Sequence, residues 1–325
     1  MNMIDSLDVA VIIPCHNEEV AVGKVVADLR RELPKARIFV YDNLSTDRTA
    51  EVAVAAGAIL RSETSKGKGN VVRRAFADIE ADVYLMIDGD DTYDVGAARQ
   101  MLEMLVAGPY DHVLGVRQQV TDTAYRPGHS TGNKAFNAVV SSLFGTRVND
   151  MLSGYRAFSR RFVKSFPAVS REFEIETELT VHSVNLRLPQ TEVAVGFRDR
   201  AEGSESKLST YRDGFKILGL LANLTRHERP LFFHGVLAGL FLVVAVILGI
   251  PLLAEFAETG LVPRLPTALL ASSLVIIAAL IALVGIVMDA LTKSRREAAR
   301  LFYLTFSAPP AMASEGHVAE PRTNG

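Results

Sequence analysis

The sequence has one cysteine, almost no net charge and no leader-like start. The lone Cys15 rules out an internal disulfide and argues against a cysteine-based metal site. A formal charge of −2 across 325 residues argues against nucleic acid as the main partner. Met1 to Asp8 lacks the basic, apolar and small-residue succession of a signal peptide, so the N-terminal domain is expected on the cytoplasmic side. The phosphate loop of the NTPases, Gly-x-x-x-x-Gly-Lys-Ser/Thr, is also absent. An apolar fraction of 49% supports a sizeable core or a membrane part.

The strongest positive signal is Val83-Tyr-Leu-Met-Ile87 followed at once by Asp88-Gly89-Asp90-Asp91. An apolar strand here delivers carboxylates to a sheet edge, where open α/β sheets bind ligands. Carboxylates this close repel unless a cation or proton relieves them, and hard oxygens suit Mg²⁺ or Mn²⁺. Asp-Gly is equally ordinary in a polar turn after a strand. Upstream, period and punctuation predict strands at Val9–Ile13, Arg37–Tyr41 and Ala58–Arg61, and helices at Glu18–Leu33, Asp47–Ala56 and Gly69–Ala81. The alternation implies βαβ units and a mostly parallel sheet.

Polar groups gather after these strands. The first runs into Pro14-Cys15-His16-Asn17-Glu18-Glu19 and the second into Asp42-Asn43-Leu44-Ser45-Thr46-Asp47. A strand-end acid such as Asp42 can accept hydrogen bonds from a ribose hydroxyl or a base N–H. Ser45 and Asp47 read as structural capping groups, Cys15 as packing, and His16 is open. Lys66-Gly67-Lys68-Gly69-Asn70 is a basic loop ahead of a helix, suited to phosphate contact.

Two segments near the C-terminus are long and apolar enough for membrane spans: Leu231–Ala254, with His234 as its only titratable residue, and Ala268–Met288, which includes no charge. Each can cross about 30 Å of hydrocarbon at about 1.5 Å per residue. Arg226 and Arg229 precede the first span, and Lys293, Arg295, Arg296 and Arg300 follow the second, which puts both termini on the cytoplasmic face. Two buried helices of a soluble domain are the alternative. Gly235 and Gly239 form a G-x-x-x-G pattern that permits close helix approach. Leu208–Arg229 mixes apolar and basic residues and reads as an interfacial segment or an amphipathic core helix, and Ser307–Gly325 reads as disordered.

IPCHNEE, YDNLSTDRT, KGKGN, DGDD and SGYRAF, in this order and spacing, resemble a family 2 glycosyltransferase. With the hairpin, the chain is similar to the polyprenyl-phosphate glycosyltransferases, the group of dolichyl-phosphate mannose synthases and bactoprenol glucosyltransferases. The resemblance implies an α/β GT-A domain over 1–207, a juxtamembrane segment over 208–230, transmembrane helices over 231–254 and 265–291, and a tail over 307–325. By position, Pro14, Asn17, Glu18, Glu19, Asp42, Lys66, Lys68, Gly69 and Asp88 are implied to hold a nucleotide sugar. Asp88 and Asp90 match the D-x-D metal pair, with Asp90 implied as the direct ligand of Mg²⁺ or Mn²⁺. Many relatives carry Leu-Gln where this chain has Asp91-Thr92, so no third ligand is assigned.

On the acceptor side, Arg117, Arg126, Ser130, Arg198, Arg200 and Lys207 are implied to hold a lipid phosphate, Arg117 and Arg126 with catalytic effect. Arginine grips phosphate oxygens in two-pronged fashion, although isolated surface cations are usually just solvated. Arg156 reads as either a structural partner of a carboxylate or an acceptor contact. Glu172, Glu174, Glu176 and Glu178 alternate; on a helix Glu174 and Glu178 share a face, so one of them could point into the cleft while its neighbours are solvated. A phosphate acceptor is already ionised near pH 7 and needs no general base.

The activity so implied is inverting transfer of one sugar, from UDP-hexose or UDP-HexNAc, to undecaprenyl, decaprenyl or dolichyl phosphate at the cytoplasmic membrane face. GDP-mannose as donor, a lipid hydroxyl as acceptor, and a membrane-anchored nucleotide-sugar delivery protein are the competing readings. Nucleic acid is not an expected partner; a homo-oligomer is compatible with the sequence.

Overall fold

The computed structural model describes residues 3–119, 149–168, 175–198 and 225–308. It divides into two units, one made of Met1–Leu208 with Ala299–Gly325, the other of Ser209–Ala298.

In the first unit, seven strands among the described residues form one sheet: β1 (Val9–Cys15), β2 (Arg37–Asp42), β3 (Ile59–Ser62), β4 (Val83–Met86), β5 (His112–Gln119), β6 (Arg156–Ser159) and β7 (Gln190–Phe197). Their order is β3-β2-β1-β4-β6-β5-β7. β1 pairs in parallel with β2 and β4, β2 with β3, and β5 with β7, whereas β6 is antiparallel to both neighbours. Only β6 is reversed, so the chain entering it sits at the edge where the other strands end.

The helices follow from the apolar spacing between strands: α1 (Val22–Glu32), α2 (Thr49–Ala55), α3 (Lys68–Asp78), α4 (Ala97–Ala107), α5 (Arg160–Ser165) and α6 (Ile175–Asn185). The expected strands and helices up to β4 are all present, with ends shifted by a few residues. Strand alternation splits the core in two. Val9, Val11 and Ile13 face a layer with Val25 and Leu29 of α1 and Met101 and Leu105 of α4. Ala10 and Ile12 face Val72 and Phe76 of α3, Phe162 of α5 and Leu179 of α6. Tyr303 and Ala299 join this second layer. The Tyr303 hydroxyl donates to Asp111 at 2.7 Å, a buried carboxylate that also pairs with Arg161 and accepts from Ser159.

The second unit is helical. Helix α7 (Pro230–Thr259) and helix α8 (Leu265–Tyr303), whose last turns belong to the first unit, are each long and apolar enough to cross a membrane. Helix α7 ends at Gly260, whose φ of 68° suits a left-handed cap. Within the hairpin the tight spot is not at the G-x-x-x-G pair: methyl groups at Gly235 or Gly239 would meet nothing within 4 Å, whereas one at Gly285 would lie 2.8 Å from His234 Cβ. The close approach of these two helices uses Gly285 because that is the glycine on the facing side. Most of the juxtamembrane segment and the tail from 309 lie outside the described residues.

Candidate active site

Strand polarity alone gathers the candidate residues. Cys15 and Asp42 end β1 and β2 in register, and Asp88 and Asp90 follow β4, which lies on the other side of β1. Two strand spacings place Asp42 and Asp88 about 10 Å apart along the edge. Reversed β6 brings residues 150–155 to the same edge, β5 delivers Arg117 and β7 delivers Arg198.

Long-range hydrogen bonds lock the first two loops together. Asn17 Oδ1 accepts from Thr46 N at 2.8 Å and Asn17 N donates to Ser45 Oγ at 3.0 Å. Glu18 N donates to Thr49 Oγ1, and Glu19 N to Asp47, whose carboxylate also accepts from Thr49 N. His16 Nδ1 lies 2.8 Å from the Asn43 carbonyl. Ser45 and Asp47 therefore carry structure, and Glu19 is occupied by Arg48. Asn17, Leu44 and Asp91, which follow β1, β2 and β4, hold left-handed φ values of 58°, 62° and 55°. Such strain, on the order of 1–3 kcal/mol each, collects at functional sites.

Asn43 clamps the basic loop: its Nδ2 donates to the Glu63 and Ser65 carbonyls at 2.9 and 2.8 Å, and its Oδ1 accepts from Gly67 N at 2.7 Å. This presents Lys66 to solvent and starts α3 at Lys68, with Gly69 buried in its first turn. Asp42 Oδ1 is buried without a hydrogen-bond partner. An unpaired buried acceptor is costly, and a donor from a bound nucleoside would satisfy it.

The acids are held tightly. Asp88 bonds to Lys68 Nζ, which also lies 2.6 Å from Glu176 of α6. Burial works against the Lys68 ammonium, but Asp88 and Glu176 raise its pKa above the ordinary lysine range. Asp90 Oδ1 accepts from Thr92 Oγ1 at 2.6 Å, and Asp91 is gripped by Lys24 at 2.6 and 2.8 Å. Glycine is required twice. A methyl on Gly89 would sit 2.5 Å from Cys15 Sγ, and one on Gly154 would press into the Asp88 carboxylate. Cys15 is packed in the core as expected, and burial, then the neighbouring carboxylates, push its thiol pKa up.

The donor set fits a divalent cation. Asp88 and Asp90 offer hard oxygens, and no cluster of three or more metal-type side chains occurs among the described residues. Two protein carboxylates with remaining positions for phosphate oxygens and water is the usual arrangement for Mg²⁺ beside a phosphorylated substrate.

Arg117 makes a two-pronged pair with Asp150, both bonds 2.7 Å, and stacks over Phe197 at 5.3 Å. Burial disfavours its charge, but Asp150 more than offsets this and raises its pKa. Arg198 is half-exposed, 3.9 Å from Asp94, with its N–H on the Thr92 carbonyl at 2.8 Å. It borders an open cavity of about 350 Å³ with Lys24, Asp28, Arg31, Asp91 and Tyr93. Arg126, Ser130, Arg200, Lys207, Glu172 and Glu174 lie outside the described residues. Arg156 is fully buried and bonds to the Ser153 and Met151 carbonyls and to Thr180 Oγ1, a structural role with no carboxylate ion pair among the described residues. Among the described residues, the glutamate of this run that reaches the Lys68–Asp88 pair is Glu176. Its only sequence signal was its place among apolar α6 positions one helical turn before Leu179 and Thr180.

Residues 10–166 match the model of the glycosyl transferase family 2 domain. Protein RfbJ of Shigella flexneri is 52% identical over 128 residues, 39% of this chain and 99% of that one. Glycosyltransferase AglJ of Haloferax volcanii is 37% identical over 233 residues, 70% of this chain and 75% of that one. A dolichyl-phosphate hexose transferase of the same organism is 30% identical over 223 residues, 68% and 96% of the two chains. Among solved structures, glucosyl-3-phosphoglycerate synthase from Mycobacterium tuberculosis, in complex with Mn²⁺, UDP and phosphoglyceric acid, superposes with a TM-score of 0.56. It is 20% identical and the match covers 68% of this chain and 80% of that one. The fold is thus shared with a GT-A enzyme.

Proposed function

The chain belongs to glycosyl transferase family 2, and from that premise we propose that it moves one sugar from a UDP-hexose or UDP-HexNAc to a polyprenyl phosphate. The transfer inverts the anomeric carbon and takes place at the cytoplasmic face of a membrane. The observation that carries the reading is the sheet edge on which the unpaired Asp42 Oδ1 and the Asp88–Asp90 pair flank β1. Their spacing of about 10 Å is one that a nucleoside and its diphosphate can bridge. The donor class is supported by the UDP and Mn²⁺ of the mycobacterial synthase, and the acceptor by the Haloferax hexose transferase.

Asp42 receives the base or ribose donor, and the loop braced by Asn43 brings Lys66 and the start of α3 toward the phosphates. Asp88 and Asp90 would hold Mg²⁺ or Mn²⁺, which when bound neutralises charge on the departing diphosphate. The acceptor oxygen is already anionic, so no residue needs to remove a proton from it. Glu176, ion-paired to Lys68, is a carboxylate engaged in positioning. Arg117, kept charged by Asp150, and Arg198 stand at the ends of β5 and β7, where a second anion would approach. What the residues supply is proximity and charge neutralisation.

The test is a donor screen with full-length protein in detergent, polyprenyl phosphate, Mg²⁺ or Mn²⁺, and a panel of UDP- and GDP-sugars, read by mass spectrometry. A sugar-phosphate-lipid product from a UDP-sugar that vanishes with chelator is expected. Nucleotide release without that product, or no donor consumed, overturns the reading.

A further inference from the structure

Lys68 stands between two acids with little solvent to relieve any imbalance. Its side chain is 9% exposed and that of Glu176 5%, whereas Asp88 is 27% exposed. Nζ reaches Asp88 Oδ1 and Glu176 Oε1 together. The second Glu176 oxygen, Oε2, is buried with no hydrogen-bond partner, although an ammonium has three donors to share. Gly154 backs directly onto Asp88 Oδ2, so the carboxylate is fixed on both sides. The Lys68 ammonium thus bridges two buried or half-buried carboxylates, and one of these is a proposed metal ligand.

We propose that Lys68 is a resident counter-ion of Asp88, parked by Glu176, which an incoming divalent cation displaces from Asp88. This rests on the metal-site reading above. A cation at Asp88 repels the ammonium beside it, and Glu176 Oε2 gives that ammonium a second acceptor without leaving the pocket. Lys68 is then a positioning residue: it keeps two carboxylates from repelling one another while the site waits, and yields when cation and nucleotide arrive together. Glu176 sets how readily it yields. Without Glu176, Lys68 keeps Asp88 as its one ion-pair partner among the described residues and competes harder with the metal.

The test is direct Mn²⁺ binding to full-length, nucleotide-free protein at fixed pH, read from the electron paramagnetic resonance signal of free Mn²⁺. Lys68→Met is expected to tighten Mn²⁺ binding about tenfold and Glu176→Gln to weaken it about tenfold, each near 1.4 kcal/mol. Lys68→Met leaves two adjacent acids unpaired, so the double variant Lys68→Met/Glu176→Gln, which has no such clash, is measured beside it and should bind as tightly. Asp90→Asn should lose the saturable Mn²⁺. If the double variant binds Mn²⁺ no better than the wild type while Asp90→Asn still loses it, the counter-ion inference is overturned and the metal site stands. If the wild type itself takes up no saturable Mn²⁺, both fall.

Discussion

Adding one methyl group at Gly154 tests the site without touching a charged residue. The new carbon would lie 2.8 Å from Asp88 Cγ and Oδ1, and closer still to Oδ2. Neither backbone has room to retreat. Gly154 N is tied to Tyr93 Oη at 2.9 Å and the next residue, Tyr155, is buried, with its carbonyl accepting from Gly115 N at 2.9 Å. On the other side, Gly89 already rests against Cys15. The side chain of Asp88 must therefore swing off Lys68 by roughly 1 Å or more, a misplacement of the size that costs on the order of 10²-fold in turnover. Overpacking of this kind costs about 1–3 kcal/mol of stability. Gly154→Ala should then stay folded yet lose about two orders of magnitude in sugar transfer and bind Mn²⁺ more weakly. The assay is initial rate against donor concentration, with thermal unfolding on the same sample and Gly235→Ala, whose methyl meets nothing within 4 Å, as the control. Wild-type turnover and Mn²⁺ affinity in Gly154→Ala would refute the claim that Asp88 works from the position seen here.

Asn43→Ala removes three hydrogen bonds to the Glu63–Gly67 stretch and should raise KM for the nucleotide sugar about tenfold with a smaller change in kcat; an unchanged KM in steady-state kinetics would detach the clamp from donor binding. Arg156→Met strands the buried Ser153 and Met151 carbonyls and should cost about 1–3 kcal/mol for each in urea unfolding, despite a guanidinium whose pKa burial has lowered to about 10. His182 is held neutral by burial, its pKa lowered from 6.5 to about 4. The unfolded chain thus binds the extra proton first, so stability contributed by this group falls as pH drops from 6.5 toward 4, by up to about 3 kcal/mol. His182→Gln should flatten that slope in unfolding measured across the window. Tyr303→Phe removes a hydrogen bond to a buried carboxylate and should cost about 1.5–3 kcal/mol, seen as a lowered Tm.

The first half of the sheet is legible in the sequence because β1, β2 and β4 are short apolar runs separated by helical spacing, and the acids after β4 follow its last buried residues directly. The second half is not. β6 is four residues long, is buried throughout and opens on Arg156, so a charged residue stands where a pattern reader expects an apolar one. Its reversal, which brings Gly154 onto Asp88, depends on pairing with β4 and β5 and leaves no local trace. Alternating glutamates conceal the one that matters: period alone groups Glu174 with Glu178, and only the seating of α6 against α3 turns Glu176 to Lys68. Asn43 looked like one more polar residue after a strand because the carbonyls and N–H it clamps lie 20 to 24 positions away.

The polypeptide leaves the first unit at Leu208 and rejoins it at Ala299, and Tyr303 then closes the packing around Asp111. In gene-design terms, the sugar-transfer domain is interrupted, not followed, by the apolar helices. A stop codon placed anywhere before Ala299 removes a piece of that domain's interior along with the helices. Excising 209–298 and splicing the ends with a linker is the cut that leaves its core whole.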